Sequence, residues 1–120
     1  RVRFLGWRGD IAALFASADL FVCPSRLEPL GNVVIEAWAH RRPVVAAAAN
    51  GPRELIRDGE TGLLVPVEDA AALAAAINRL AADQSLGQRL VAGGEAAYAA
   101  EFTKAKVVQA YLDFFSQAIG

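Results

Sequence analysis

The chain has 120 residues, 55 % apolar and 21 % charged, a balance that suits one globular domain and lies well away from disorder. Its net charge is −1 and its basic residues are scattered, Arg41-Arg42 being the closest pair, so no basic face is available for nucleic acid or an anionic membrane. One cysteine, Cys23, and one histidine, His40, exclude a disulfide framework and a thiol metal cluster, and no apolar run approaches the ~20 residues of a membrane span.

Short apolar runs alternate with alanine-rich stretches, the pattern of βαβ units around a parallel sheet. Strands are expected at Val2–Leu5, Leu20–Cys23, Val44–Ala47 and Leu63–Val65, each nearly continuous in apolar character, as for strands covered on both faces. Between them, Asp10–Ser17 reads as a short helix with Ile11, Leu14, Phe15 and Ala18 on one face, followed by helices at Asn32–His40 and Pro52–Arg57. The run "DGETG" (Asp58–Gly62) suits a turn into the last strand. Beyond Pro66 the pattern is helical: Asp69 can cap Ala70–Ala82, with Leu73, Ile77 and Leu80 at helical spacing, and Asp83–Leu90 continues as a second helix. Gly93-Gly94 is expected to interrupt it, since each glycine costs roughly 1 kcal/mol against alanine inside a helix. Thr103 then caps a last helix striped by Val107, Val108, Tyr111, Leu112 and Phe115. The fold class is α/β: a partial Rossmann-like parallel sheet of four strands, flanking helices and a helical C-terminal tail. The chain has no methionine and opens inside an apolar run, "RVRFLGW", which gives the expectation of a piece of a longer protein.

The stretch "EPLGNVVIE" places Glu28 in a loop and Glu36 a turn into the following helix, with Gly31 and Asn32 between them. The first amides of that helix lack partners and carry the positive end of its dipole, and Gly31 leaves the backbone open to close approach. Such a terminus at the carboxyl end of a parallel strand suits phosphate. Carboxylates repel phosphate but accept hydrogen bonds from hydroxyls. Hydroxyls on either side of a diphosphate describe a nucleotide sugar. The plainer reading is two isolated ion pairs, or a glutamate favoured near a helix start by roughly 0.3–1 kcal/mol; the motif alone leaves both open.

The surrounding blocks, "DLFVCPSRLEPLGNVVIEAWAHRRPVVA" and "NGPRELIRDGETGLLVPVEDAAALAAAI", resemble the retaining glycosyltransferases of the group 1 family, which have the two-Rossmann GT-B architecture. The resemblance runs through the closing "EFTKAKVVQAYLDFF" and rests on ordered elements: a strand followed by Pro-Ser, Glu-x7-Glu, Pro-Val-Val, Gly-Pro-x-Glu and Asp-Gly-x-x-Gly-Leu-Leu-Val. It implies that Glu28, the one residue assigned to the catalytic centre, contacts hydroxyls of the donor sugar and that Glu36 binds the ribose. The backbone of Leu30, Gly31, Asn32 and Val33 would hold the sugar and diphosphate, and Trp7 and Arg8 lie where the family packs the nucleotide base.

The resemblance also marks departures. Arg41 and Asn50 stand where the family usually has glycine, which suggests altered loops, asparagine tolerating a left-handed backbone better than arginine. Residues 1–120 correspond to the C-terminal donor-binding domain without its first two strand–helix units, which carry an arginine and a lysine that neutralise the diphosphate, and without the N-terminal acceptor lobe. Losing two central strands would leave an unpaired strand edge, so self-association or exchange of elements between chains is expected. Cys23 reads as a buried inert thiol, Trp38 as packing, His40 as a helix-end residue, and Arg53 with Glu54 as a solvated or capping pair.

The implied activity is transfer of a sugar from a nucleotide diphosphate donor to an acceptor (a glycan, lipid or small molecule) with retention of anomeric configuration, without a protein nucleophile. No cofactor and no metal are expected, since no Asp-x-Asp motif occurs. The chain alone is expected to be inactive. Composition points to the cytoplasm, and the full-length protein is placed there or peripheral to the inner face of the membrane. Competing readings are a non-catalytic nucleotide-sugar-binding module, separable by activity assay, and a GT-B-like epimerase or phosphorylase, separable by product analysis.

Overall fold

The computed structural model describes all of residues 1–120. Its elements in chain order are α1 (Ile11–Ser17), β1 (Phe21–Cys23), α2 (Asn32–Ala39), β2 (Val44–Ala47), α3 (Asn50–Leu55), β3 (Leu63–Val65), α4 (Ala70–Ala82), α5 (Gln84–Glu101) and α6 (Lys104–Ile119). The strands form one parallel sheet in the order β1-β2-β3, with Phe21 opposite Val44 and Val45 opposite Leu63. The βαβ reading is therefore correct, but the sheet has three strands, not four. Val2–Leu5 is irregular and exposed. A strand needs a neighbour to take its amides and carbonyls, and none lies beside this segment. β1 is likewise paired on one side only, so the expected open edge is present.

All four residues of β2 are buried, as a central strand with both faces covered requires. On one face Val44 and Ala46 pack with Phe15, Cys23, Val34, Ala37, Trp38 and Ile56. On the other, Val45 packs with Leu63, Leu80, Leu86 and Leu90. The long helix α5 serves both sides. Its Leu86 and Leu90 belong to the second cluster, while Ala97, Tyr98 and the following Phe102 pack on the first.

This crossing explains the main departure from expectation in the helices. Gly93-Gly94 does not break α5, which runs unbroken to Glu101. A Cβ at Gly93 would fall on the Glu60 carbonyl oxygen, and one at Gly94 on the indole of Trp38. The glycines are required by close packing, and that packing outweighs their low helix propensity. Trp38 is 2 % exposed, and its Nε1–H donates to the Thr61 carbonyl at 2.9 Å. Thr61 is itself buried, and its hydroxyl accepts from the Arg57 amide at 2.9 Å. The Asp58–Gly62 turn is held further by the Leu64 amide donating to Asp58 Oδ1 at 2.9 Å.

The capping expectations hold in detail. Asp69 accepts from the Ala72 amide at 2.8 Å and Thr103 from that of Lys106 at 3.3 Å. Asp83 is a cap rather than a helical residue, accepting from Leu86 at 2.9 Å. The third helix begins at Asn50, two residues earlier than expected, so Asn50 is helical and not left-handed. Arg41, in contrast, has φ +57°, the conformation that glycine adopts at low cost after a helix. His40 stacks on Phe15 with ring centroids 4.7 Å apart and donates from Nδ1 to the Glu36 carbonyl at 2.8 Å, a structural use of the ring. Finally, α6 has no buried residue: Tyr111, Leu112, Phe114, Phe115 and Ile119 are all exposed.

Two contrasts test this packing. Gly94→Ala should lose about 1–3 kcal/mol in urea denaturation through overpacking against Trp38. Gly87→Ala, in the same helix, would meet nothing closer than Leu80 Cδ1 at 3.7 Å and should gain roughly 0.5–1 kcal/mol. Arg41→Gly should also stabilise, by about 1 kcal/mol, because it relieves a left-handed backbone while giving up only the exposed Arg41–Glu95 pair.

Candidate functional site

The loop leaving the carboxyl end of β1 leads directly into α2, so the amino terminus of α2 lies at that end of the sheet. Val34, Ala37 and Trp38 bury one side of the helix against the sheet and fix its position. Gly31 is the N-cap, with φ +75°. Its carbonyl accepts from Val34 at 2.9 Å and from Ile35 at 3.4 Å. Its own amide donates to Glu28 Oε1 at 3.1 Å. The amides of Asn32 and Val33 have no acceptor within the chain. Two free donors at a helix amino terminus, where the dipole is positive, are suited to an anion. Gly31 differs from them because its donor is already engaged.

A second glycine sets the loop in place. The Gly51 amide donates to the Glu28 carbonyl oxygen at 2.7 Å. A Cβ at Gly51 would overlap Gly31 N and Leu30 C and lie 2.7 Å from Glu28 O. Seen from the other side, a Cβ at Gly31 would lie 3.2 Å from the Gly51 carbonyl carbon, 3.3 Å from Pro52 N and 2.8 Å from Leu55 Cδ1. Gly31 is therefore required by its positive φ and by the contact with α3.

The remaining site residues differ in setting. Glu28 is half-buried in its loop, whereas Glu36 is exposed one turn into α2 and forms no ion pair. Leu30 and Asn32 are exposed and Val33 is half-buried. The structure thus brings Glu28, Leu30, Gly31, Asn32, Val33 and Glu36 to one helix terminus. Trp7 and Arg8 are not joined to it: Trp7 is 99 % exposed, and no hydrogen bond or ion pair links residues 1–9 to α2. Arg8 instead pairs with Asp10. Its guanidinium holds the Asp10 carboxyl below the usual carboxylate range, and the carboxylate in turn raises Arg8; both side chains are exposed.

A small cleft of about 270 Å³ at the same end of the sheet as the α2 terminus is lined by Pro24, Arg26, Ala47, Val65, Pro66 and Glu68, among others. A larger groove of about 1170 Å³ opens near the amino ends of the strands, beside Leu20, Arg42 and Pro43. None of Glu28, Gly31, Asn32, Val33 or Glu36 lines either. Two features were not assigned a role from sequence. One is Gly51, visible only as part of Gly-Pro-x-Glu. The other is the Arg26–Glu68 pair at 3.0 Å, which joins the β1 loop to the segment after β3, with Glu68 at φ +63°. Nothing in the local sequence signals that pairing.

The model of the family described as glycosyl transferases group 1 matches residues 1–83. The lipopolysaccharide core biosynthesis glycosyltransferase LpsE of Rhizobium meliloti (strain 1021) is 42 % identical over 97 % of this chain and 34 % of its own length. LpsD of the same organism is 39 % identical over 99 % of this chain and 35 % of its own. The chain therefore spans about a third of the length of these relatives. Among solved structures, that of Anabaena HepE in complex with UDP superposes with a TM-score of 0.92 at 34 % identity, over 98 % of this chain and 32 % of HepE. The similar structures are GT-B glycosyltransferases. With the matching family model over most of its length and the same parallel sheet and helices, the chain belongs to the group 1 family of glycosyltransferases.

Proposed function

We propose that residues 1–120 form the nucleotide-sugar-binding part of a retaining glycosyltransferase that moves a sugar from a nucleotide diphosphate to an acceptor, a glycan, lipid or small molecule. The observation that carries this reading is the pair of unpartnered amides, Asn32 and Val33, at the α2 terminus with Glu28 and Glu36 beside them. In this reading the two amides face the diphosphate. Glu28 accepts from hydroxyls of the donor sugar through the oxygen that Gly31 leaves free, and Glu36 accepts from the ribose. The backbone at Leu30 lies against the sugar. Gly31 contributes by aiming Glu28 rather than by donating to phosphate. Trp7 and Arg8 reach the base only if the first ten residues are drawn over the site.

HepE has been solved with UDP and glucose and with UDP-glucose, at TM-scores of 0.89 and 0.88, which supports a nucleotide sugar as the ligand class. The chemistry expected is cleavage of the bond between the anomeric carbon and the leaving phosphate oxygen. Charge developing on that oxygen is stabilised by the helix terminus, worth ~1–2 kcal/mol in a favourable, partly buried site. Two amides alone leave most of a diphosphate's charge unmatched, so the domain is read as one part of a longer enzyme, with further cationic groups and an acceptor lobe supplied by the rest. On this reading the chain by itself is inactive and the full-length enzyme acts in the cytoplasm or at the inner face of the membrane. No helix of the chain is long and apolar enough to cross a membrane.

Thermal unfolding in the presence of UDP, GDP, ADP and their common sugar conjugates tests the site. At about 100 times its dissociation constant, the matching nucleotide should add roughly 2.7 kcal/mol, and Glu36→Ala should abolish the gain. A chain extended upstream that also gains nothing from any of them would overturn the reading. The open edge of β1 and the exposed stripe of α6 support self-association as a further part of the proposal. Light scattering should then show a mass that rises with concentration, and a strictly monomeric profile at high concentration would count against it.

A further inference from the structure

Glu28 is held by two different atoms from two different elements. Its carboxylate oxygen Oε1 takes the Gly31 amide of the α2 cap, and its carbonyl oxygen takes the Gly51 amide at the start of α3. The second contact is possible only because Gly51 has no side chain, since a Cβ there would overlap Gly31 N and Leu30 C and crowd Glu28 O. All three obstacles are backbone atoms, which cannot turn aside as a flexible side chain can. Any side chain at Gly51 must therefore push the Glu28–Gly31 segment away from α3, and with it the amide that orients the carboxylate.

We propose that Gly51 is a positioning residue for Glu28: its bare backbone seats the loop so that the Gly31 amide ties down one carboxylate oxygen and leaves the other for a substrate hydroxyl. The role rests on the reading of Glu28 as the sugar contact. Gly51 lies on a different strand–helix unit from the motif it serves, so the register of β1 against β2 becomes part of how the carboxylate is aimed.

The test follows the amide resonances of the labelled chain as the pH is lowered. A backbone amide donating to an ionised carboxylate changes environment when that carboxylate is protonated. In the wild-type chain the Gly31 proton should shift on acidification, and Glu28→Gln should remove the shift and so identify its source. Gly51→Ala should remove it too, while the Val34 amide, one turn along, stays in place. Leu90→Ala provides the comparison, because it removes a fully buried side chain from the cluster on the other face of the sheet and so destabilises the core without touching the loop; it should keep the Gly31 shift. A Gly51→Ala chain that retains the shift, or a Leu90→Ala chain that loses it equally, would overturn the proposal.

Should Gly51→Ala not fold, the wild-type chain still decides. The Gly31 and Gly51 amides should show matching hydrogen-exchange protection because one seating of the loop closes both. A protected Gly51 beside an unprotected Gly31 would refute the coupling. Neither measurement uses a donor. A chain that passes them and gains no stability from any nucleotide sugar loses the donor-site reading while keeping the positioning one.

Discussion

The buried indole of Trp38 is the point on which the rest of this domain is assembled. It lies on the inner side of α2, donates to the Thr61 carbonyl and rests on the bare backbone of α5 at Gly94. Its ring also packs near Phe102, at a centroid separation of 6.3 Å. One side chain thus joins the helix that presents the candidate site, the turn that starts β3 and the helix that crosses from one core cluster to the other. Because the indole nitrogen has a partner, a polar atom sits in the core without the desolvation cost of an unpaired donor. The orientation of α2, and so the direction of its free amides, follows from that seat.

The candidate site is built by close approach of backbone rather than by side chains lining a cavity. Gly31 and Gly51 let the loop touch the start of α3; Glu28 takes the amides of both glycines, and those of Asn32 and Val33 stay free. The free donors lie at a helix terminus whose residues line neither of the two clefts. Such a site suits a ligand that is covered from another side.

Much of this was legible in the sequence. Three strands, the Asp69 and Thr103 caps and the placement of Glu28 and Glu36 around a helix start follow from local pattern, because apolar runs, capping side chains and a Gly-Asn pair act within a few residues. The errors arose where distant contacts decide. Val2–Leu5 has a strand's composition but no neighbour to pair with. Gly93-Gly94 has a breaker's composition, yet Trp38 and Glu60 approach so closely that only glycine fits. Gly31 is recognisable from the sequence as a glycine before a helix, but the atoms that face its missing side chain belong to α3, a contact that no local pattern signals. Arg41 shows the reverse case, a left-handed position recognisable from resemblance and present at φ +57°.

The exposed C-terminal helix has a thermodynamic consequence. With no residue of α6 buried, its 16 residues share almost nothing of the core's cooperativity, and a helix of that length is marginal in water without tertiary support. Heating should therefore melt α6 in a broad, early phase that the interior does not feel. In a Trp7→Phe chain, which removes the exposed indole from the signal, far-ultraviolet ellipticity will decline before the fluorescence of buried Trp38 changes, so the two probes report different transitions.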